Sequence, residues 1–454
     1  MSAGWTDALV TALGADVVTT DADVLASFAR DQAPLAPAGE ASALVRARSV
    51  DHVVATLRFA DERRIPVVTR AAGTGLAGGA NAIDGSIVLS VAALDRIVRI
   101  DPATRTAVVE PGVVNGVLAA EAAAIGLFYA PDPASRDIST IGGNIATNAG
   151  GACCVKYGVT GDHVAALKVA LPDGSILTTG SLPKKNVAGL DLTRLFVGSE
   201  GALGVIVEAT VRLLRAPRPA STLVAFFDSL ASAGEAIVAM DAAAQLSLIE
   251  VMDRTTVRAV EDVARLDLDT TAEALVMVQS DASDAAIAIE ACESICRARG
   301  ARDAMRTDDP AEGKLLLQAR RMALPALERL GTTLLDDVAV PTPAIPAMME
   351  RVAEIASRHD LVIGTFGHAG DGNLHPTIVF DGKDTASRER AFAAFDAILL
   401  AGLSLGGTIT GEHGIGSLKV DYMTRMVGAH EREMMRRIKA CFDPNNILNP
   451  GRAI

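Results

Sequence analysis

Aromatic residues make up only 3% of the 454 residues, and cysteine occurs five times, an odd number with no CxxC spacing. Neither a disulfide framework nor an iron–sulfur cluster is indicated. Excess positive charge is missing as well. A net charge of -13 and a pI near 5.1 leave no electrostatic footprint for nucleic acid or an anionic membrane surface. No apolar run approaches the roughly 18 residues needed to span a bilayer. The start, Met1 to Asp7, has neither the cationic nor the apolar region of a secretory signal. A cytoplasmic protein is expected, with peripheral attachment to the inner face of the membrane as the alternative. What is abundant is apolar surface: half the residues are hydrophobic, and the length exceeds what one core supports, so two or more domains are expected. Cys292 and Cys296, four apart on an expected helix, read as core residues.

Histidine is scarce, seven in all, yet three fall among glycines in two short stretches: Gly367 to His375 and Gly411-Glu412-His413-Gly414. Asp371-Gly372 between apolar runs predicts a two-residue hairpin loop with positive φ at both positions. Counting outward pairs His368 with His375. Directly opposed residues have Cβ atoms about 4.5–5.5 Å apart, close enough for two imidazoles to chelate one divalent ion such as zinc or manganese. Glu412 would add an oxygen ligand, and two imidazoles with one carboxylate leave positions open, as catalytic sites do.

A helix from about Asp51 to Arg64 and a strand at Pro66 to Arg70 lead into Ala71-Ala72-Gly73-Thr74-Gly75-Leu76-Ala77-Gly78-Gly79-Ala80. The string fits the dinucleotide fingerprint, but only five residues separate it from the strand Ser86 to Val91, which leaves no room for the helix a Rossmann unit needs. It reads instead as a strand-to-strand phosphate cradle. Ile141 to Gly151 and Gly198 to Gly204 are further glycine-rich segments, and several backbone-only segments suit a large polar cofactor. Before these, a helical segment is expected up to about Arg30.

These loops, with Gly411 to Gly416 and the tail Phe442 to Gly451, resemble the vanillyl-alcohol oxidase flavoprotein family in its own order of motifs. Within it they resemble the FAD-linked D-2-hydroxy-acid dehydrogenases: D-lactate dehydrogenase, D-2-hydroxyglutarate dehydrogenase and the glycolate oxidase flavin subunit. The resemblance implies an α+β fold with a two-lobed FAD-binding domain at 1–217. It also implies an α+β cap domain with an antiparallel sheet at 218–408, and a segment, 409–454, returning to the FAD domain. FAD would lie against Arg70, Ala72, Gly73, Thr74, Gly75, Leu76, Gly79, Ala80, Pro131, Asp132, Thr140, Gly143, Asn144, Asn148, Gly150, Gly151, Tyr157, Gly158, Glu200, Gly201, Ile206 and Asn449. Some relatives attach the flavin through a histidine in the first loop; residues 70–81 contain none. FAD is therefore expected to be non-covalent, with a link through Cys153 or Cys154 as the alternative.

A 2-hydroxy acid could chelate the cation, which would lower the hydroxyl's pKa. His413 then fits a general base, with a metal ligand or an outer hydrogen-bond donor as alternatives. Arg320 matches the position of a carboxylate-binding arginine in the relatives, and Arg321 is the alternative. Where hydroxyglutarate enzymes hold a second carboxylate with threonine and lysine, this chain has Leu324 and Leu335, which favours a monocarboxylate such as D-lactate. The expected partners are a small 2-hydroxy acid and a separate acceptor (quinone, cytochrome or electron-transfer flavoprotein), with a homodimer left open. Also open are a flavin subunit of a multi-chain glycolate oxidase, a D-2-hydroxyglutarate dehydrogenase and, in a different class, a metal-dependent hydrolase.

Overall fold

The computed structural model describes residues 4–454, so the first three residues of the stretch read for a signal lie outside the described residues. The chain forms two compact units. One comprises residues up to 150, 159–216 and 412–454; the other comprises 151–158 and 217–411.

In the first unit, Ser49 accepts the amide of His52 and caps the helix Val50–Arg63, which buries Val53, Leu57 and Ala60 along one stripe. Each such aliphatic side chain contributes about 1.5–3 kcal/mol when fully buried. Around it lies a four-stranded sheet of β1 (Val18–Thr19), β2 (Ala43–Arg46), β3 (Val67–Arg70) and β4 (Ile87–Ser90), ordered β1-β2-β4-β3. β4 pairs in parallel with both β2 and β3 and is buried throughout. No helix separates β3 from β4. The amino-terminal stretch departs from expectation: β1 divides two helices, Trp5–Leu13 and Ala22–Ser27. Gly14, at φ 98°, ends the first, and Asp21 caps the second by accepting the amide of Val24.

The same unit carries β5 (Ile97–Asp101), β6 (Thr106–Val109), the short β7 (Leu127–Phe128), β8 (Val164–Ala170), β9 (Ile176–Gly180), β10 (Val205–Arg212) and β11 (Leu214–Arg215). An antiparallel sheet runs β5-β6-β10-β8-β9, and β7 pairs β11. The late residues belong to this unit's first core. Ile447 and Leu448 pack with β3 and β4, and Leu448 bridges Val67 in parallel.

The second unit is built on β12 (Ser221–Phe227), β13 (Leu248–Asp253), β14 (Ala274–Ser280), β15 (Ala301–Thr307), β16 (Thr332–Leu335), β17 (Val338–Ala339), β18 (Val362–His368) and β19 (Asn373–Phe380). They form one antiparallel sheet ordered β15-β12-β14-β13-β18-β19-β16, with β17 on β19. Every residue of β12 is buried, so helices must cover both faces. Val224, Phe226 and Phe366 pack with Val257, Ala319 and Leu327 of the helices Arg254–Ala264, Pro310–Arg321 and Ala323–Glu328. Cys292 and Cys296 are fully buried on the helix Ala285–Ala298, as expected of core residues. Among the described residues no helix is long and apolar enough to cross a membrane.

Candidate cofactor and metal site

β3 delivers Arg70 to the start of the glycine loop, where Gly73 and Gly78 adopt φ of 73° and 76°. A Cβ on Gly73 would fall 2.1 Å from Arg70 Nη2, so the turn lies directly against the guanidinium. Three later segments frame the loop. The amides of Ile415 and Gly416 each donate at 2.7 Å to the buried carboxylate of Glu200, itself at φ 50°. Asn449 Nδ2 donates to the carbonyls of Glu200 and Gly79, and Arg452 Nη1 donates to that of Gly79. Burial pushes the Asp31 and Glu200 carboxyls up, against the amides that donate to them. Burial pushes the Arg452 guanidinium down to about 10 while those two carboxylates pull it back up.

Thr140 caps the helix Ile141–Thr147 by accepting the amide of Gly143, and Asn148 ends it in the left-handed region with Oδ1 accepting the amide of Gly161. A Cβ on Gly143 would touch Ala71, so this helix reaches the first loop. Asn144 is buried with neither side-chain amide atom hydrogen-bonded, and so is Nη1 of Arg70. A buried polar group left unpaired costs about 1–3 kcal/mol. Loop amides freed by positive φ, a guanidinium and a two-way amide side chain fit the phosphates and heterocycles of FAD. The structure thus brings together residues 70–80, Thr140, Gly143, Asn144, Glu200, Gly201 and Asn449. Pro131 accepts from Asn115 Nδ2 through its carbonyl, with Asp132 next to it, and Ile206 lies buried in β10. Gly150 closes the first run of this unit. Gly151, Tyr157 and Gly158 belong to the second, where the Tyr157 hydroxyl and Lys156 ammonium both donate to Asp281.

In the second unit the histidine hairpin differs from the sequence expectation in register. The loop has four residues, Ala369 to Gly372, and only Gly372 has positive φ, at 81°. His368 faces Asn373, and His375 faces Phe366. The tip is bound on both sides: Gly370 N donates to Ile249 O and Val340 N to Gly372 O, which a two-residue turn could not satisfy. A shift of two positions preserves the face. The histidines are diagonal neighbours, their ring centroids 5.3 Å apart at 86°. Both are buried.

Glu250, directly across from His368 on β13, was not read as a functional residue from sequence. It is 1% exposed. Its Oε1 lies 2.5 Å from His368 Nδ1, and its Oε2 accepts from Arg320 Nε. Burial alone would raise the Glu250 carboxyl, but Arg320 and His368 together hold it below its usual range. A neutral His368 facing an ionised Glu250 carries its proton on Nδ1 and leaves Nε2 as a lone-pair donor. Arg320 also stacks over Phe366, its Cζ 4.6 Å from the ring centre. Leu324 and Leu335 pack, half-buried, on the core of Phe366 and Val379. Asp337, fully buried, lies 3.9 Å from His375 Nδ1 and accepts from Thr410 Oγ1 and Gly411 N at 2.7 and 2.9 Å. Glu412 and His413 follow in sequence and belong to the first unit, with His413 Nε2 3.8 Å from Glu412 Oε1. The signal for Glu250 was a carboxylate inside an apolar strand, Ile249-Glu250-Val251, and that for Asp337 an acidic pair between two apolar strands, Leu335-Asp336-Asp337-Val338.

Two family models match. The FAD binding domain covers residues 41–180, and the C-terminal domain of FAD linked oxidases covers residues 216–453, more than half the chain. The chain belongs to the FAD-linked oxidase family. Among curated members, the glycolate oxidase subunit GlcD of Bacillus subtilis is 41% identical over 90% of this chain and 88% of its own. D-lactate dehydrogenases of Archaeoglobus fulgidus and Anaerostipes hadrus are 35% and 34% identical, over 92% and 94% of this chain and 92% of each of theirs. These relatives accord with the resemblance to the D-2-hydroxy-acid branch of the vanillyl-alcohol oxidase flavoproteins. The fold is shared with p-cresol methylhydroxylase, at TM-score 0.82 and 17% identity over 99% of this chain and 96% of that one. This FAD-linked oxidase is an FAD-binding oxidoreductase with an α+β fold.

Proposed function

We propose that the chain oxidises a D-2-hydroxy monocarboxylic acid, D-lactate-like, to the 2-oxo acid, using non-covalent FAD and a divalent metal, zinc or manganese. The observation that carries this reading is the line Arg320–Glu250–His368 with His375 beside it, in which a guanidinium able to receive a carboxylate shares a partner with one of two neighbouring imidazoles. His368 and His375 would hold the metal, with Glu412 as the carboxylate ligand read from the sequence. When bound, FAD supplies the hydride acceptor at N5 and the cation supplies Lewis acidity that makes the substrate hydroxyl easier to deprotonate.

Arg320 spends its Nε edge on Glu250, leaving the terminal nitrogens to meet the substrate carboxylate. An imidazole nitrogen of His413 takes the hydroxyl proton. Leu324 and Leu335 offer nothing polar to a second carboxylate, and an unpaired charge among apolar groups is costly. D-Lactate or a longer aliphatic acid should thus outrun D-2-hydroxyglutarate and D-malate, and the L-enantiomers should be poor. Dye reduction over a substrate panel, with and without chelator, tests this. A higher kcat/KM for D-2-hydroxyglutarate than for every monocarboxylate sinks the substrate reading, and full activity after exhaustive chelation sinks the metal. Acid precipitation should release yellow FAD into the supernatant; colour kept in the pellet would point to Cys153 or Cys154 instead.

The electrons would leave to a separate acceptor: a quinone, a cytochrome or an electron-transfer flavoprotein. A second reading, a flavin subunit of a multi-chain glycolate oxidase, is favoured by the 41% identity to GlcD. Dye turnover by the isolated chain favours the self-sufficient enzyme, and its absence favours the subunit.

A further inference from the structure

Glu250 is buried in the middle of β13 with one oxygen turned to each of two partners, His368 from β18 and Arg320 from the helix Pro310–Arg321. Arg320 is fixed a second time by the ring of Phe366, which stands two residues before His368 on the same strand. Phe366, Arg320, Glu250 and His368 therefore form one unbroken run of contacts. A carboxylate placed only to neutralise Arg320 would need no imidazole, and one placed only to orient His368 would need no guanidinium. Burying a carboxylate is expensive, and here two partners at once offset the cost.

We propose that Glu250 is a positioning residue shared by the metal-binding and carboxylate-binding arms of the site. Through Oε1 it fixes the tautomer and orientation in which His368 presents Nε2. Through Oε2 it holds the arginine by Nε, so that the terminal nitrogens of the fork are aimed and rotamer freedom is lost before the acid arrives. Prior ordering of both arms lowers the entropy that binding must otherwise remove. The proposal rests on the metal-assisted reading above, and it adds that a single residue sets both the metal affinity and the KM.

The test is Glu250→Gln in the FAD-loaded full chain, which keeps size and removes charge. Zinc titrated into metal-stripped protein by calorimetry should bind about 10–100-fold more weakly than to wild type, the range typical for losing a carboxylate that supports a ligating histidine. KM for D-lactate, measured at saturating zinc, should rise about tenfold or more, as when a charge-assisted contact is loosened. Glu250→Asp, which keeps the charge, should recover part of both. Wild-type zinc affinity or wild-type KM in Glu250→Gln overturns the shared role. Failure of the wild-type protein to bind zinc at all overturns the metal reading instead, so the two failures are distinct. Should Glu250→Gln not fold, nitrogen NMR of histidine-labelled, metal-free wild type decides: His368 protonated on Nδ1 is expected, and a proton on Nε2 overturns the proposal.

Discussion

Between Arg70 and Ala80 the first unit presents mainly backbone, with glycines at positive φ and the side chains of Asn449 and Arg452 donating to the carbonyl of Gly79 to hold the loop in place. Between His368 and His375 the second unit offers side chains, and there the backbone serves only to set their register. A backbone site depends on local dihedral freedom and is damaged by adding atoms. A side-chain site depends on partners brought from far along the chain and is damaged by removing them.

The largest effect should come from the second kind. His368→Ala or His375→Ala should lower kcat/KM by about 10³-fold or more, since metal assistance supplies several kcal/mol. The flavin absorbance near 450 nm should persist. Loss of colour together with activity would break the comparison, because it would make the two ligands interdependent.

The converse is Gly416→Val. A Cβ there would lie 2.0 Å from the carbonyl of Ala77, so the loop must shift. FAD affinity should fall at least about tenfold, the cost of roughly 1.4 kcal/mol or more of strain, while zinc affinity by calorimetry stays as in wild type. An unchanged FAD-to-protein ratio after dialysis would contradict the backbone account.

The same division explains what the sequence made legible. Glycine spacing and the shortage of residues between β3 and β4 are local facts, so the cradle and the missing Rossmann helix could be read directly. The hairpin register could not, because Gly370 and Gly372 are tied to Ile249 and Val340, and no dipeptide rule contains those partners. Glu250 and Asp337 were hidden for a related reason. Glu250 is an isolated acid in an apolar strand and Asp337 stands beside Asp336 in the link between β16 and β17; only the pairing of β13 with β18 shows that Glu250 faces a histidine. β1 was absorbed into an expected helix although Gly14 announced the break.

Arg320→Ala should lower kcat/KM by about 10–150-fold for every acid tested, the value of a charge-assisted contact. A loss confined to one acid would mean that the common carboxylate is held elsewhere, with Arg321 the next residue to replace.

The smallest effect concerns stability in the second unit. Asp253 caps the helix Arg254–Ala264, and its burial, only partly opposed by the amide of Thr256, raises its carboxyl to about 6 from the ordinary 3.8. The folded state holds this proton more tightly than the unfolded one, so the group's contribution is fully present below pH 3.8 and is lost as pH rises through about 6. Asp253→Asn keeps a capping side chain without the charge. It should match wild type in denaturant melts at low pH and exceed it by up to about 3 kcal/mol above pH 6. A constant difference across that range would assign the effect to the cap instead.

The parallel bridge between Val67 and Leu448 gives the molecule a timetable. The edge strand that feeds the flavin cradle cannot complete its pairing until a segment made some 380 residues later has emerged, which at 5–20 residues per second is a delay of roughly 20–75 s. Lys439, buried with its ammonium shared among Ala202 O, Leu448 O and Asp443, fastens that late segment once it arrives. A nascent chain therefore carries an open edge strand beside the cradle until Leu448 has been made.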